Sequence, residues 1–391
     1  MDGRSRISKA REIMAEFAGS TGLEPSTKSP RRYLWTDAFA VCNFLELWSR
    51  TGETCCREMA VRLVEQVHQT LGRHRGDDPR KGWISGLSEE EGALHPTRGG
   101  LRIGKVLSER KPGEGYDEAL EWERDGQYFH YLTKWMHALN RVSTVLEDFA
   151  YNRWAVELAQ AAHTGFVHAA PSGDRRMYWK MSIDLSRPLV SSMGHHDPLD
   201  GLVTFSQLQA SLRAEQGLPA GLNLTSEIAG MAAMCDGRDW ATDDALGLGG
   251  LLTDAYRIAQ LMARGGFDQK KGLLILLADT SLVGMQAFVE RNHVRYPPEY
   301  RLAFRELGLS IGLHAVERLK VLIEQHKGVF RGEHNLEHRV DALMGYLPLG
   351  VMIETFWLDD ENRRSPTWLE HQDINMVMLA TSLEPGAYLE V

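Results

Sequence analysis

Apolar residues recur every three or four positions along most of the chain, the spacing of helices that bury one face. Over residues 32–50, Leu34, Ala38, Val41, Leu45 and Trp48 form such a stripe, and Met59, Leu63, Val64 and Val67 form another over 54–71. Further helices are predicted over 125–140, 145–168, 203–214, 246–263, 272–291, 299–324, 336–356 and 368–382. No series of strictly alternating segments accompanies them, so any strands are short pieces in loops and a sheet-based core is not expected.

The runs fall into about six pairs joined by short turns, beginning near Arg32, Asp125, Arg176, Leu246, Glu299 and Leu336. A faint internal echo accompanies the pairing. Thr36-Asp37-Ala38-Phe39 recurs as Thr253-Asp254-Ala255-Tyr256, and more weakly as Val340-Asp341-Ala342-Leu343. Repeated helical hairpins build an open solenoid or a closed ring. Ring closure is expected here, because no polar capping repeat is evident. Residues 72–124 interrupt the pattern with many glycines but also carry Trp83, Ile84, Leu101 and Ile103, which need somewhere to bury. That segment reads as an ordered flap lining one face, with a domain boundary as the alternative. The expectation is one all-α domain over 1–391 with 72–124 inserted in it.

Length and charge narrow the picture. At 391 residues the chain exceeds the usual size of one compact core, and a ring that spreads its core around a wall accommodates it. Hydrophobic residues at 43% and charged residues at 25% exclude wholesale disorder and fibrous repeats. The 44 basic residues are outnumbered by 53 acidic ones, which argues against nucleic acid or an anionic membrane as partner. Cys42, Cys55, Cys56 and Cys235 form neither a disulfide framework nor a C-x-x-C pair. The charged N-terminal stretch lacks the apolar centre of a signal peptide, and no uncharged apolar run of about 20 residues is seen, so a cytoplasmic location is expected.

Candidate chemistry gathers at helix starts, where aromatics, acids and histidines crowd together. Arg32, Trp35 and Asp37 open one helix, Asp125, Tyr128, His130 and Tyr131 a second. Trp179 leads into the run His195-His196-Asp197-Pro198-Leu199-Asp200, and His371 and Asp373 open the last. An acid at a helix N-terminus caps free N–H groups, but capping does not account for the rings beside it. Aromatic faces next to carboxylates suit a sugar, whose C–H face stacks while its hydroxyls bond to acids, histidines and arginine. In a closed ring, alternate helix starts share one mouth and would bring Asp37, Asp125, Asp197 and Asp373 together, with their proton affinities pushed apart.

On the hairpin count, the aromatic-acid openings at Tyr33–Phe39 and Asp125–Tyr131 and the long loop, the chain resembles the (α/α)6 toroid proteins, namely six-hairpin glycosidases and the N-acylglucosamine 2-epimerase group. The resemblance spans nearly the whole chain and implies a carbohydrate-active fold that hosts several chemistries. As a glycoside hydrolase the chain would use two carboxylates, Asp37 with Asp197 or Asp200, and Asp125 in reserve. Pro198 is expected to hold Asp197 on a non-helical corner. Arg32, Trp35, Tyr128, His130, Tyr131, Trp179, His195, His371 and Asp373 would bind an oligosaccharide or other small-molecule substrate, with His196 beside the acids. No cofactor is expected.

Three alternatives remain. A sugar epimerase would use a histidine pair drawn from His130, His196 and His371, whose ordinary proton affinity lies near neutrality. His334-Asn335-Leu336-Glu337-His338 has the H-x-x-E-H spacing of a zinc site without an evident third ligand, so no metal is expected. The third is a toroid that binds a ligand and performs no chemistry.

Overall fold

The periodic stripes become helices because each has an apolar face to bury. The computed structural model describes residues 2–171, 173–214, 221–267, 271–331 and 334–391. They divide into two compact units, one comprising Thr21–Leu45 and Thr54–Arg238, the other Met1–Ser20, Glu46–Glu53 and Asp239–Val391.

In the first unit, the helices Phe129–Leu146, Phe149–Phe166 and Asp197–Ala214 pack around Phe129, whose ring lies 5.6 Å from Phe166 and 6.2 Å from Phe205. Thr54–Leu71 is helical as predicted, and the helix Leu34–Thr51 begins in this unit. The predicted 125–140 helix starts only at Phe129, because Gln127 and Tyr128 are extended and pair antiparallel with Met181 and Lys180. Lys180 and Met181 pair in turn with Val190 and Pro188. These short strands are the loop pieces the pattern left room for.

The 72–124 segment is ordered, with two short helices, Glu89–Leu94 and Glu118–Glu123. It is anchored by the apolar side chains the sequence singled out: Trp83, Leu101 and Ile103 are all buried. A polar clasp completes the anchor. Asp125, fully buried, accepts from Arg102 Nη1 at 2.5 Å and from the backbone N–H groups of Gly104 and Gly126 at 3.0 Å each.

In the second unit the helices Ala245–Ala263 and Ala303–Gln325 approach through glycines. A methyl group on Gly249 would lie 2.0 Å from the Gly308 carbonyl oxygen, so only a bare backbone permits this crossing. Lys271–Arg291, His334–Met344, Leu347–Leu358 and Gln372–Leu383 complete the long runs. The predicted 336–356 helix is broken near Gly345, since Pro348 is tolerated in a first turn but cannot continue a helix. The helices Gly3–Ser20 and Thr225–Cys235 were not legible in the pattern.

A helical window within Lys271–Arg295, of mean hydropathy 1.7, is long and apolar enough by length and composition to cross a membrane, and 44% of it is buried inside the protein. The H-x-x-E-H spacing falls on the helix His334–Met344, where the His334 side chain lies outside the described residues.

Candidate active site

The strand pair is what assembles the site. Register between Tyr128 and Lys180 puts Trp179 against Tyr128, with ring centroids 5.5 Å apart. Trp122 meets Trp179 edge-on at 4.9 Å, Tyr131 lies 5.2 Å from Tyr128, and His130 is nearly parallel to Trp179 at 6.3 Å. Lys180 holds this wall from behind. Its buried Nζ donates to the carbonyls of Glu121 and Arg124 at 2.6 and 2.8 Å, which pins the residues on either side of Trp122. Burial lowers the proton affinity of that ammonium, and the Glu121 carboxylate opposes the shift. At the edge of the wall the hydroxyls of Tyr33 and Tyr131 share a 2.8 Å hydrogen bond, and burial raises both phenols far above their ordinary range.

Two acids stand beside the rings on the first turn of the helix Asp197–Ala214, and their surroundings differ. Asp200 accepts from Thr133 Oγ1 at 2.5 Å and pairs with Lys134 Nζ at 2.8 Å, both from the helix Phe129–Leu146. Asp197 is also buried, yet its Oδ2 has no hydrogen-bond partner among the described residues. Burial, reinforced by the neighbouring Asp200 charge, pushes the Asp197 carboxyl up to about 7, against the pull of Lys134 and Arg238. His130 Nδ1 lies 3.7 Å from Asp197 Oδ1 and has no hydrogen-bond partner among the described residues. Burial among the rings lowers that imidazole to about 4, while its side chain keeps 29% exposure through which a ligand can reach it.

The two acids thus sit three residues apart on one helix face, neighbours by helical geometry. Burial raises the proton affinity of one, while the other is paired with a cation, so neighbouring acids sit in different surroundings. Asp197 is helical, not on a non-helical corner: Pro198 occupies the first turn, where its missing N–H costs nothing. Gly194 crowds the acid from the preceding loop, since a methyl there would fall 2.3 Å from Asp197 Oδ2.

The other sequence candidates lie as follows. Asp37 is buried with Oδ1 3.2 Å from Arg32 Nη1 and Oδ2 accepting from the Tyr33 N–H at 2.9 Å, so Arg32 and Asp37 are engaged with each other at a helix start. Asp125 is engaged in the clasp described above. Trp35 is buried against Phe39 at 4.3 Å and meets the wall at Tyr131, at 6.5 Å. His195 is exposed and His196 partly buried, with their rings 4.6 Å apart. His371 and Asp373 belong to the other unit, where the His371 ring lies 5.5 Å from Phe304. Tyr33 and Trp122, which open two of the crowded helix starts, also join the site, as do Thr133 and Lys134, which no spacing marks.

These features define the class of protein by its fold. No protein-family model and no curated protein sequence matches the chain. Among solved structures, a GH76 alpha-mannanase from Bacteroides thetaiotaomicron is similar, at a TM-score of 0.54 and 9% identity over 100% of this chain and 97% of that one. At that identity the likeness shows the fold alone, and the chain is an all-α (α/α)6 toroid.

Proposed function

We propose that the chain is a carbohydrate-active enzyme that hydrolyses glycosidic bonds. The observation that carries this reading is the buried Asp197 carboxyl, with its free Oδ2, three residues from the Lys134-paired Asp200 and beside an aromatic wall. In this reading a sugar ring stacks its C–H face on Trp122 and Trp179. Asp197, protonated near neutrality, gives its proton to the departing glycosidic oxygen, which relieves the energetic cost of breaking the C–O bond. Asp200 stabilises positive charge developing on the sugar and acts as nucleophile or as base toward water. Asp37 and Asp125 hold structure, because their oxygens already have arginine and backbone partners.

The fold neighbour acts on mannans, and that substrate class leads the test. Oligosaccharide panels headed by α-mannosides are incubated with the protein and reducing ends measured. Release that is abolished in both Asp197→Asn and Asp200→Asn supports the proposal, while full turnover in both variants defeats it.

His130 favours a second reading, epimerisation, in which an uncharged imidazole beside a protonated acid exchanges a proton with a sugar carbon. Solvent deuterium entering an uncleaved sugar, without new reducing ends, would point there.

A further inference from the structure

A cavity of about 540 Å³ lies in the same unit and shares no lining residue with the aromatic site. One wall is a helical stripe, since Glu157, Gln160 and Thr164 recur at three- and four-residue steps on Phe149–Phe166. Ser85, Arg98 and Asp184 come from the opposing loops.

Glu157 is the centre of it. Its side chain is 5% exposed; Oε1 lies 2.6 Å from His95 Nδ1 and 3.8 Å from Arg98 Nε, while Oε2 is buried with no partner among the described residues. A buried carboxylate oxygen without a donor is destabilising, and a ligand that brings a donor removes that penalty. The lining also states what kind of donor. Among the described residues no aromatic ring lines the cavity, so a ligand is held by its edges and not stacked. Each acid has a guanidinium beside it: Asp184 pairs with Arg80 at 2.7 Å, and Glu157 Oε1 lies 3.8 Å from Arg98 Nε. Gln160 spends its amide nitrogen on the carbonyls of Gly221 and Asn223 at 2.9 and 3.3 Å, which leaves its oxygen as an acceptor. Carboxylates, a guanidinium, hydroxyls and an amide oxygen together suit a ligand that both donates and accepts through several hydroxyls and carries no net charge.

We propose that this cavity is a second binding site, for a small neutral polyhydroxylated ligand of monosaccharide size, with Glu157 and Arg98 bonded to its hydroxyls. The proposal does not depend on the catalytic reading, since it uses none of the same residues.

Saturation-transfer NMR on the full chain tests it, with myo-inositol and glucose as probes and putrescine and inorganic phosphate as charged controls. Transfer to a polyol is expected in the native protein and in a Trp122→Ala/Trp179→Ala double variant. It should weaken by about tenfold or more in Thr164→Trp, which fills the cavity from an exposed helix position, and in the near-isosteric Glu157→Gln. Polyol transfer that is absent, that is lost in the double tryptophan variant but intact in Thr164→Trp, or that is seen only for putrescine or phosphate overturns the proposal.

Discussion

His130 Nδ1 faces Asp197 Oδ1 across 3.7 Å with both groups uncharged over a shared range of pH. Asp197 keeps its proton up to about 7, and His130 stays unprotonated down to about 4. An acid that works by giving up that proton has to be protonated first. On a substrate the chain cleaves, kcat/KM is therefore expected to fall as pH rises through about 7. Asp197→Asn should cost on the order of 100-fold or more in kcat. Rates on the native protein between pH 5 and 9 check this, and a profile flat from 6 to 8 would count against Asp197 as the acid.

The same carboxyl makes folding depend on pH, in a direction that follows from its shift. Its folded value, about 7, lies above the ordinary 3.8, so its contribution is fully favourable at low pH and is lost as pH rises toward 7. Asp197→Asn removes the loss. Urea unfolding is expected to show little difference between variant and native protein near pH 4 and a variant more stable by roughly 2–4 kcal/mol at pH 8. His130 works in the opposite direction, since its lowered value makes stability fall as pH drops from 6.5 through about 4. A stabilised but inactive Asp197→Asn would place the residue among groups whose poor local fit serves activity.

Gly194→Ala separates aim from fold. A methyl at this position would meet the Asp197 carboxyl at 2.3–2.5 Å, so the carboxyl has to turn away. The expected result is a kcat reduced by about tenfold or more with the melting temperature changed by only a few degrees. Thermal melts beside kinetics distinguish this from general unfolding.

Trp122 is 43% exposed, unusual for so large an apolar ring, and stands edge-on to Trp179. If it is a stacking platform, it binds ground and transition states alike. Trp122→Ala is then expected to raise KM about fivefold to tenfold with kcat nearly kept. A fall in kcat alone would move Trp122 from binding to the chemistry.

Much of this was legible in the chain because the fold depends on periodicity, which local sequence carries. The stripe over Thr54–Leu71 needed no distant information. The helix Gly3–Ser20 is hard to see in the sequence because its charged residues, Arg4, Arg6, Lys9, Arg11 and Glu12, mask the buried Ala10, Ile13, Met14 and Phe17. The site was legible in part. Asp197, Asp200, Tyr128, His130 and Trp179 all came from crowded helix starts or their approaches. Lys134 and Thr133 did not, although they follow His130 by four and three residues and so share its helix face. What distinguishes Asp200 from Asp37 is partner choice, and that depends on which side chain another helix delivers. Spacing could not show that Asp37 would be met by Arg32 and the Tyr33 N–H, or Asp125 by Arg102.

Asp125 gives the sharpest contrast with the acids of the site. It and Asp200 are both buried aspartates beside a cation, but Asp125 also accepts backbone N–H groups from Gly104 and Gly126, which closes the loop over the Arg102 guanidinium. Asp125→Asn leaves Arg102, 9% exposed in its side chain, without its counter-charge. Removing one partner of such a buried pair costs on the order of 3 kcal/mol. That loss should appear in urea unfolding, together with faster proteolysis within 72–124, because the clasp is what ties this segment down. The protein that remains folded is expected to keep its kcat, since the clasp meets no substrate in the proposed arrangement. Asp200→Asn should give the reverse: a stability change small beside the loss of rate, because the amide oxygen still accepts from Lys134 while the amide NH2 donates to Thr133 Oγ1, whose own O–H keeps the His130 carbonyl. If Asp125→Asn abolishes turnover while the melt is unmoved, the roles of the two acids are exchanged, and the reaction is centred on the clasp instead of on the first turn of Asp197–Ala214.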